Sequence, residues 1–178
     1  YDLKKKMTAK KSEKINISFF DKITFNTRNK SEIDQFLKRI HSGKIMAYGE
    51  GFSEIASSYM YRKLLTLGKI VYLLHGIDFE ILCEKSAMKF DLLLIVSKSG
   101  ETKHCIKLAK QAREENITVC SFTGNAGSHL AKLSDISFTY NDPHTLDDDV
   151  YYPNPFIGLC IIGFEELIRR YFEKYGID

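Results

Sequence analysis

The chain has 178 residues, 44% of them apolar and 28% charged, the balance of an ordinary globular domain rather than of a disordered or collagen-like chain. This length suits one α/β domain that buries roughly 70% of its unfolded surface. The net charge is +3, but residues 1–15 hold six lysines against Asp2 and Glu13, a local +4, which leaves −1 for all the rest. A near-neutral body behind a lysine-rich lead-in reads as a solvated linker, not as a nucleic-acid surface.

The longest apolar run, residues 156–164, contains two glycines and is followed by Glu165 and Glu166. It falls well short of the roughly 20 apolar residues that a spanning helix needs. The opening residues do not read as a secretory leader, so a cytoplasmic protein without membrane contact is expected. The start at Tyr1 rather than Met is expected of a piece cut from a longer protein. Cys83, Cys105, Cys120 and Cys160 are widely spaced, with no C-x-x-C pair and no histidine at ligand spacing. They read as reduced thiols, with neither metal nor cofactor implied.

Residues 1–30 are polar with little periodicity and form a lead-in, with a short strand or turn expected around 15–25. Ser31 and Glu32 open a helix whose apolar face is Ile33, Phe36, Leu37 and Ile40, closed by Gly43. Residues 44–48 form a short apolar strand. A helix from Ser53 carries Ile55, Ala56, Tyr59, Met60, Leu64 and Leu67, and stops at Gly68. A strand at 70–74, a helix from 79 to about 89 and a strand at 92–96 follow. A helix from 102 to about 115 carries Ile106, Leu108, Ala109 and Ala112. Then come a strand at 118–123, a short helix at 128–133, a strand at 136–140 and a long helix from about 155 to 175. Continuous apolar strands between amphipathic helices predict a parallel sheet covered on both faces. The expected fold is a three-layer αβα sandwich with a five-stranded parallel sheet, spanning residues 31–178.

In such sheets, ligands bind beyond the carboxyl ends of the strands, where the strand order reverses. With the flavodoxin-like order 2-1-3-4-5, that crevice lies between the first and third strands. The two loops leaving those strands are unusual. One is Gly49-Glu50-Gly51-Phe52-Ser53 and the other Ser97-Lys98-Ser99-Gly100-Glu101-Thr102, and both run into helices. Helix N-termini with free N–H groups favour an anion, and hydroxyls donate to phosphate without a fixed charge. Ordinary capping by Ser99 or Thr102 also explains part of the second loop. It leaves Ser97 without a purpose, and it does not predict two such loops at one crevice. A dinucleotide fingerprint would need glycine where Glu54 stands, and no Gly-Lys-Ser/Thr of a P-loop follows the first glycines.

These residues resemble the SIS (sugar isomerase) domain. The likeness rests on Gly49-x-Gly51-x-Ser53, the run 97–102, and the later Ser121-Phe122-Thr123-Gly124 and Ser128-His129-Leu130-Ala131. It covers roughly residues 30–175. The resemblance implies a phosphosugar ligand, a dimer or tetramer, and contacts to that ligand from Ser53, Ser97, Ser99 and Thr102. Backbone amides from Lys98 to Glu101 would help, and residues 123–128 would close the pocket.

SIS domains serve either as aldose–ketose isomerases or as effector sensors in RpiR-type regulators, where a helix-turn-helix domain precedes them. The lysine-rich lead-in looks like the linker of such a regulator, whose DNA-binding half would lie outside this chain. Glu50, Glu54, Glu101, His104 and His129 are the candidate bases for an isomerase. Glu101 is expected to face solvent or cap its helix, and His104 to be a surface residue. Phe52 replaces the lysine, and Glu54 the third glycine, of the arabinose-phosphate type of isomerase. The end, Tyr175-Gly176-Ile177-Asp178, lacks the lysine of the glucosamine-phosphate synthase type. The expectation is therefore an effector domain, with a sugar-phosphate isomerase as the alternative.

Residues 142–149 hold four aspartates without the glycine and glutamate spacing of a calcium loop, and read as a solvated charge run. His144 within it is a candidate to reach a ligand across a subunit boundary. The last helix is apolar over most of its circumference, more than one sheet face requires, which predicts a two-fold contact.

Overall fold

A computed structural model describes residues 25–76, 78–84, 88–140 and 153–176. The expected strand within 15–25 lies almost wholly outside them, as do the acidic run with His144 and the last two residues.

The elements in chain order are β1 (Phe25–Asn26), α1 (Ser31–Ser42), β2 (Ile45–Gly49), α2 (Ser53–Thr66), β3 (Val71–Leu73) and α3 (Asp78–Glu84). They continue with β4 (Leu92–Val96), α4 (Lys103–Glu114), β5 (Thr118–Thr123), α5 (His129–Leu133), β6 (Ile136–Tyr140) and α6 (Phe156–Tyr175). The sheet order is β1-β6-β5-β4-β2-β3. Its five longer strands are mutually parallel, in the flavodoxin-like order 2-1-3-4-5. The two-residue β1 adds an antiparallel edge beside β6.

Strand periodicity of two builds both layers at once. Ile45, Ala47, Leu92, Leu94, Val96, Phe122 and Phe138 pack against α1, α2 and α6. Met46, Tyr48, Leu93, Ile95 and Val119 turn the other way, onto α3, α4 and α5. Phe36 from α1 meets the rings of Phe122, Phe138 and Phe164 edge-on, at centroid distances of 5.3–6.4 Å. Ahead of α1, the buried carboxylate of Glu32 accepts the Arg28 backbone N–H at 3.0 Å and ion-pairs with its guanidinium. The same guanidinium donates to the carbonyls of Ser134 and Asp135, which anchors the entry to α1 against the β5–β6 connection.

Most elements end within two residues of their sequence-predicted bounds. The exception is α3, expected to run to about 89. Phe90 is needed in the α3–α4–α5 core, and Asp91 accepts the Lys44 N–H at 2.8 Å, so the chain is already extended there.

In α6, Phe156, Cys160, Phe164, Leu167, Ile168 and Tyr171 form the buried stripe, while Ile157, Leu159, Ile161 and Ile162 stay partly exposed. Gly163 is required where Tyr140 crosses, since a Cβ there would lie 2.9 Å from the tyrosine ring. On the outer face, Glu166 accepts from Arg169 at 2.6 and 2.7 Å and from Arg170 at 3.0 Å. The Arg169 hydrogen bonds, chiefly, hold its carboxyl down to about 2. A depressed carboxylate contributes stability above its unfolded value, about 4.3, and loses it as pH falls toward the folded value. Glu166→Gln is expected to lower the melting temperature by about 1–3 °C at pH 7, the scale of a surface pair. In melts at decreasing pH the difference should shrink below about pH 4.

Candidate functional site

The parallel register aligns the strand exits. Gly49 stands beside Val96, and Val96 beside Phe122. Glu50, Ser97 and Thr123 therefore leave the sheet side by side, on strands about 4.8 Å apart. The two loops singled out from sequence leave neighbouring strands at the reversal point, and the β5–α5 loop leaves the next strand over.

In the first loop, Gly51 adopts φ +59, and Gly49 lets the chain fold tightly onto α2. A Cβ on Gly49 would lie 2.5 Å from the Ser53 carbonyl oxygen and 2.9 Å from the Ser57 hydroxyl. Ser53 is the first residue of α2 and is buried, while Phe52 before it is 63% exposed.

The second loop is held by its own hydroxyls. Ser97 Oγ accepts the Gly100 N–H at 3.2 Å, and Ser99 Oγ accepts the Glu101 N–H at 3.2 Å. Thr102 stands at the N-cap of α4, yet its hydroxyl does not cap the helix. It lies 3.2 Å from Ser97 Oγ instead. Capping thus does not account for the serine-rich run. It leaves the first turn of α4, the positive end of its dipole, without a side-chain acceptor from its cap. Gly100 adopts φ +68, with Ser128 and Thr123 packed against its Cα.

The third loop is tied to the second. Gly124 N–H donates to the Lys98 carbonyl at 2.8 Å, Thr123 Oγ1 to the same oxygen at 3.2 Å, and Leu130 N–H to the Gly100 carbonyl at 3.1 Å. Ser128 caps α5 by accepting the Ala131 N–H, and Ser121 bonds to Ser137 inside the sheet. These later motif residues hold the loops in place.

Of the candidate bases, Glu101 does face solvent and does cap a helix, but the helix is α5. One carboxylate oxygen accepts the His129 N–H at 3.0 Å and the other lies 2.6 Å from His129 Nδ1. The backbone bond, chiefly, holds this carboxyl below its ordinary value. Glu50 and Glu54 are exposed, with Glu54 3.9 Å from His75 Nδ1. His104 departs from expectation: it is half-buried, and its Nδ1 lies 2.8 Å from the Tyr48 hydroxyl, because Tyr48 points toward α4 from the end of β2. Burial, with the Glu50 charge behind it, pushes the Tyr48 phenol up to about 12 and the Cys105 thiol beneath the loop to about 12 as well. Neither ionises near neutrality, so Cys105 is no nucleophile. Lys98 is also buried, which the sequence does not suggest. Among the described residues no group of three or more His, Cys, Asp or Glu side chains comes together, and no helix is long and apolar enough to cross a membrane.

The strand exits at the crossover of this doubly wound domain thus gather loops rich in alcohols and backbone amides. The SIS domain model matches residues 40–146, and the chain belongs to that family. It is 25% identical over 137 residues to an HTH-type transcriptional regulator of Clostridium perfringens, covering 76% of this chain and 49% of that one. The chain therefore spans about half the length of that relative. Its fold is similar to that of a putative phosphosugar isomerase involved in capsule formation from Bacteroides fragilis (TM-score 0.71, 20% identity, 86% of this chain and 84% of that one). It is similar also to the Vibrio vulnificus NanR protein complexed with ManNAc-6P (TM-score 0.68, 22% identity, 83% of this chain and 55% of that one).

Proposed function

We propose that this chain is the phosphosugar-binding effector domain of an RpiR-type transcription regulator of sugar metabolism. The observation that carries the reading is the turn 97–102, where Ser97 and Thr102 pair their hydroxyls across the mouth of an uncapped helix. Such a turn can reorient its alcohols and amides onto a phosphate, at about 1.5–3 kcal/mol for each hydrogen bond to the charge. Gly49, Gly51 and Ser53 supply the facing wall, and Ser97, Lys98, Ser99, Gly100, Glu101 and Thr102 the seat. The likeness to HTH-type regulators and to a structure holding a sugar phosphate supports both halves of the reading. DNA contact belongs to a helix-turn-helix domain outside this chain, and the protein works in the cytoplasm as a homodimer or tetramer. The partly exposed apolar side of α6 supports self-association. A ligand shifts such an assembly only by binding its alternative arrangements with different affinity.

The second reading, a sugar-phosphate isomerase, is favoured by the fold shared with the capsule-related protein. It requires a free general base beside the sugar carbon that loses its proton. Glu101, the carboxylate nearest the turn in sequence, is already engaged by His129. Incubation with hexose, pentose and amino-sugar phosphates in D2O is the deciding experiment. The effector reading predicts no deuterium at C2 and no aldose–ketose exchange; incorporation at C2 would establish the isomerase.

A further inference from the structure

Tyr48 and His104 form a bridge that the phosphate seat does not use. Tyr48 is the residue before Gly49, 6% exposed, and His104 sits in the first turn of α4, two residues past Thr102. Their rings meet edge-on at 5.1 Å with the hydroxyl on Nδ1. The bridge thus spans the strand exits that carry the two loops.

When the Tyr48 hydroxyl donates to Nδ1, the ring carries its own proton on Nε2. That nitrogen makes no hydrogen bond to any described residue. The half-buried ring is thus oriented by its bond to Tyr48, with Nε2 turned away from that hydroxyl. His104 lies two residues past Thr102, and its partner Tyr48 immediately precedes Gly49, so the pair adjoins the roots of both loops. Glu50, Glu54, Lys98 and Glu101 are the charged side chains of these loops, and Glu54 and Glu101 lie against His75 and His129 rather than His104.

We propose that His104, held in one tautomer by Tyr48, is a specificity residue that donates to a hydroxyl or carbonyl oxygen of the sugar portion of the ligand. This rests on the sugar-phosphate reading above and adds which part of the ligand is read, and by what. Tyr48 is a positioning residue that acts through His104.

Two probes separate the seat from the reader. Inorganic phosphate tests the seat alone, and the best-bound sugar phosphate of a panel tests both, each titrated by NMR into the whole chain. His104→Ala is expected to weaken the sugar phosphate about tenfold, the scale of one lost hydrogen bond to a buried donor, and to leave inorganic phosphate unchanged. His104→Gln, which keeps an N–H donor, should recover part of the loss. Tyr48→Phe should reduce the sugar-to-phosphate selectivity several-fold, and the imidazole 15N shifts should move from a single Nε2–H tautomer to a mixture. An unchanged sugar-phosphate affinity in His104→Ala overturns the inference, as does an equal loss for both probes. Wild-type protein that binds phosphate but no sugar phosphate, or neither probe, removes the underlying reading as well.

Discussion

Gly100→Ala is expected to lower stability by about 2–6 kcal/mol and to abolish ligand binding. Two costs combine. The residue holds φ +68, where a side chain adds strain of about 1–3 kcal/mol. A Cβ would also lie 2.5 Å from that of Ser128 and 2.9 Å from Thr123 Oγ1, and overpacking of this kind costs about 1–3 kcal/mol more. Neither neighbour can yield cheaply. Ser128 is fully buried and caps α5, and Thr123 is tied to the Lys98 carbonyl. Calorimetric melts should show a drop of about 5–15 °C. Gly51→Ala is the control, since Gly51 has a similar φ of +59 but nothing within 4 Å of a built Cβ. Its loss should be confined to the same backbone cost, about 1–3 kcal/mol. Equal losses at the two glycines would show that the Gly100 contacts carry no weight.

The double substitution Ser97→Ala with Thr102→Val should leave the fold intact and weaken sugar-phosphate binding by about 100-fold or more. In the free protein these hydroxyls bond mainly to one another and to the Gly100 N–H. Their removal therefore costs the fold only about 1 kcal/mol per neutral bond. With ligand present, each hydroxyl faces a charge, and its loss costs more. Calorimetric titration beside a thermal melt separates the two effects. A melt that collapses with affinity unchanged would reverse this assignment of roles.

The layering was readable because buried parallel strands such as Leu92–Val96 are apolar throughout, and the amphipathic helices between them force crossovers; the strand order was taken from the flavodoxin-like pattern. The site's position followed from topology, and its character from two short loops whose residues touch their near neighbours. The contacts that sequence could not supply join residues distant along the chain. Tyr48 and His104 are 56 positions apart, and Glu101 and His129 are 28 apart. His104 looks like a surface group until the fold brings Tyr48 alongside. The two-residue β1 lacks any periodicity to detect, and the early end of α3 depends on where Phe90 is buried. Helical amphipathicity located α6 but could not say which of its apolar residues face its own sheet; the buried stripe from Phe156 to Tyr171 divides them.

The most direct test is a titration of 15N-labelled protein with a panel of hexose 6-phosphates, pentose 5-phosphates and amino-sugar 6-phosphates, following backbone amides. At least one compound should saturate, with the largest shifts at residues 97–103 and at 51–53 of the neighbouring loop. Saturation with shifts centred elsewhere, such as the groove between Tyr59 and Ile161, or no response to the whole panel, would contradict the account.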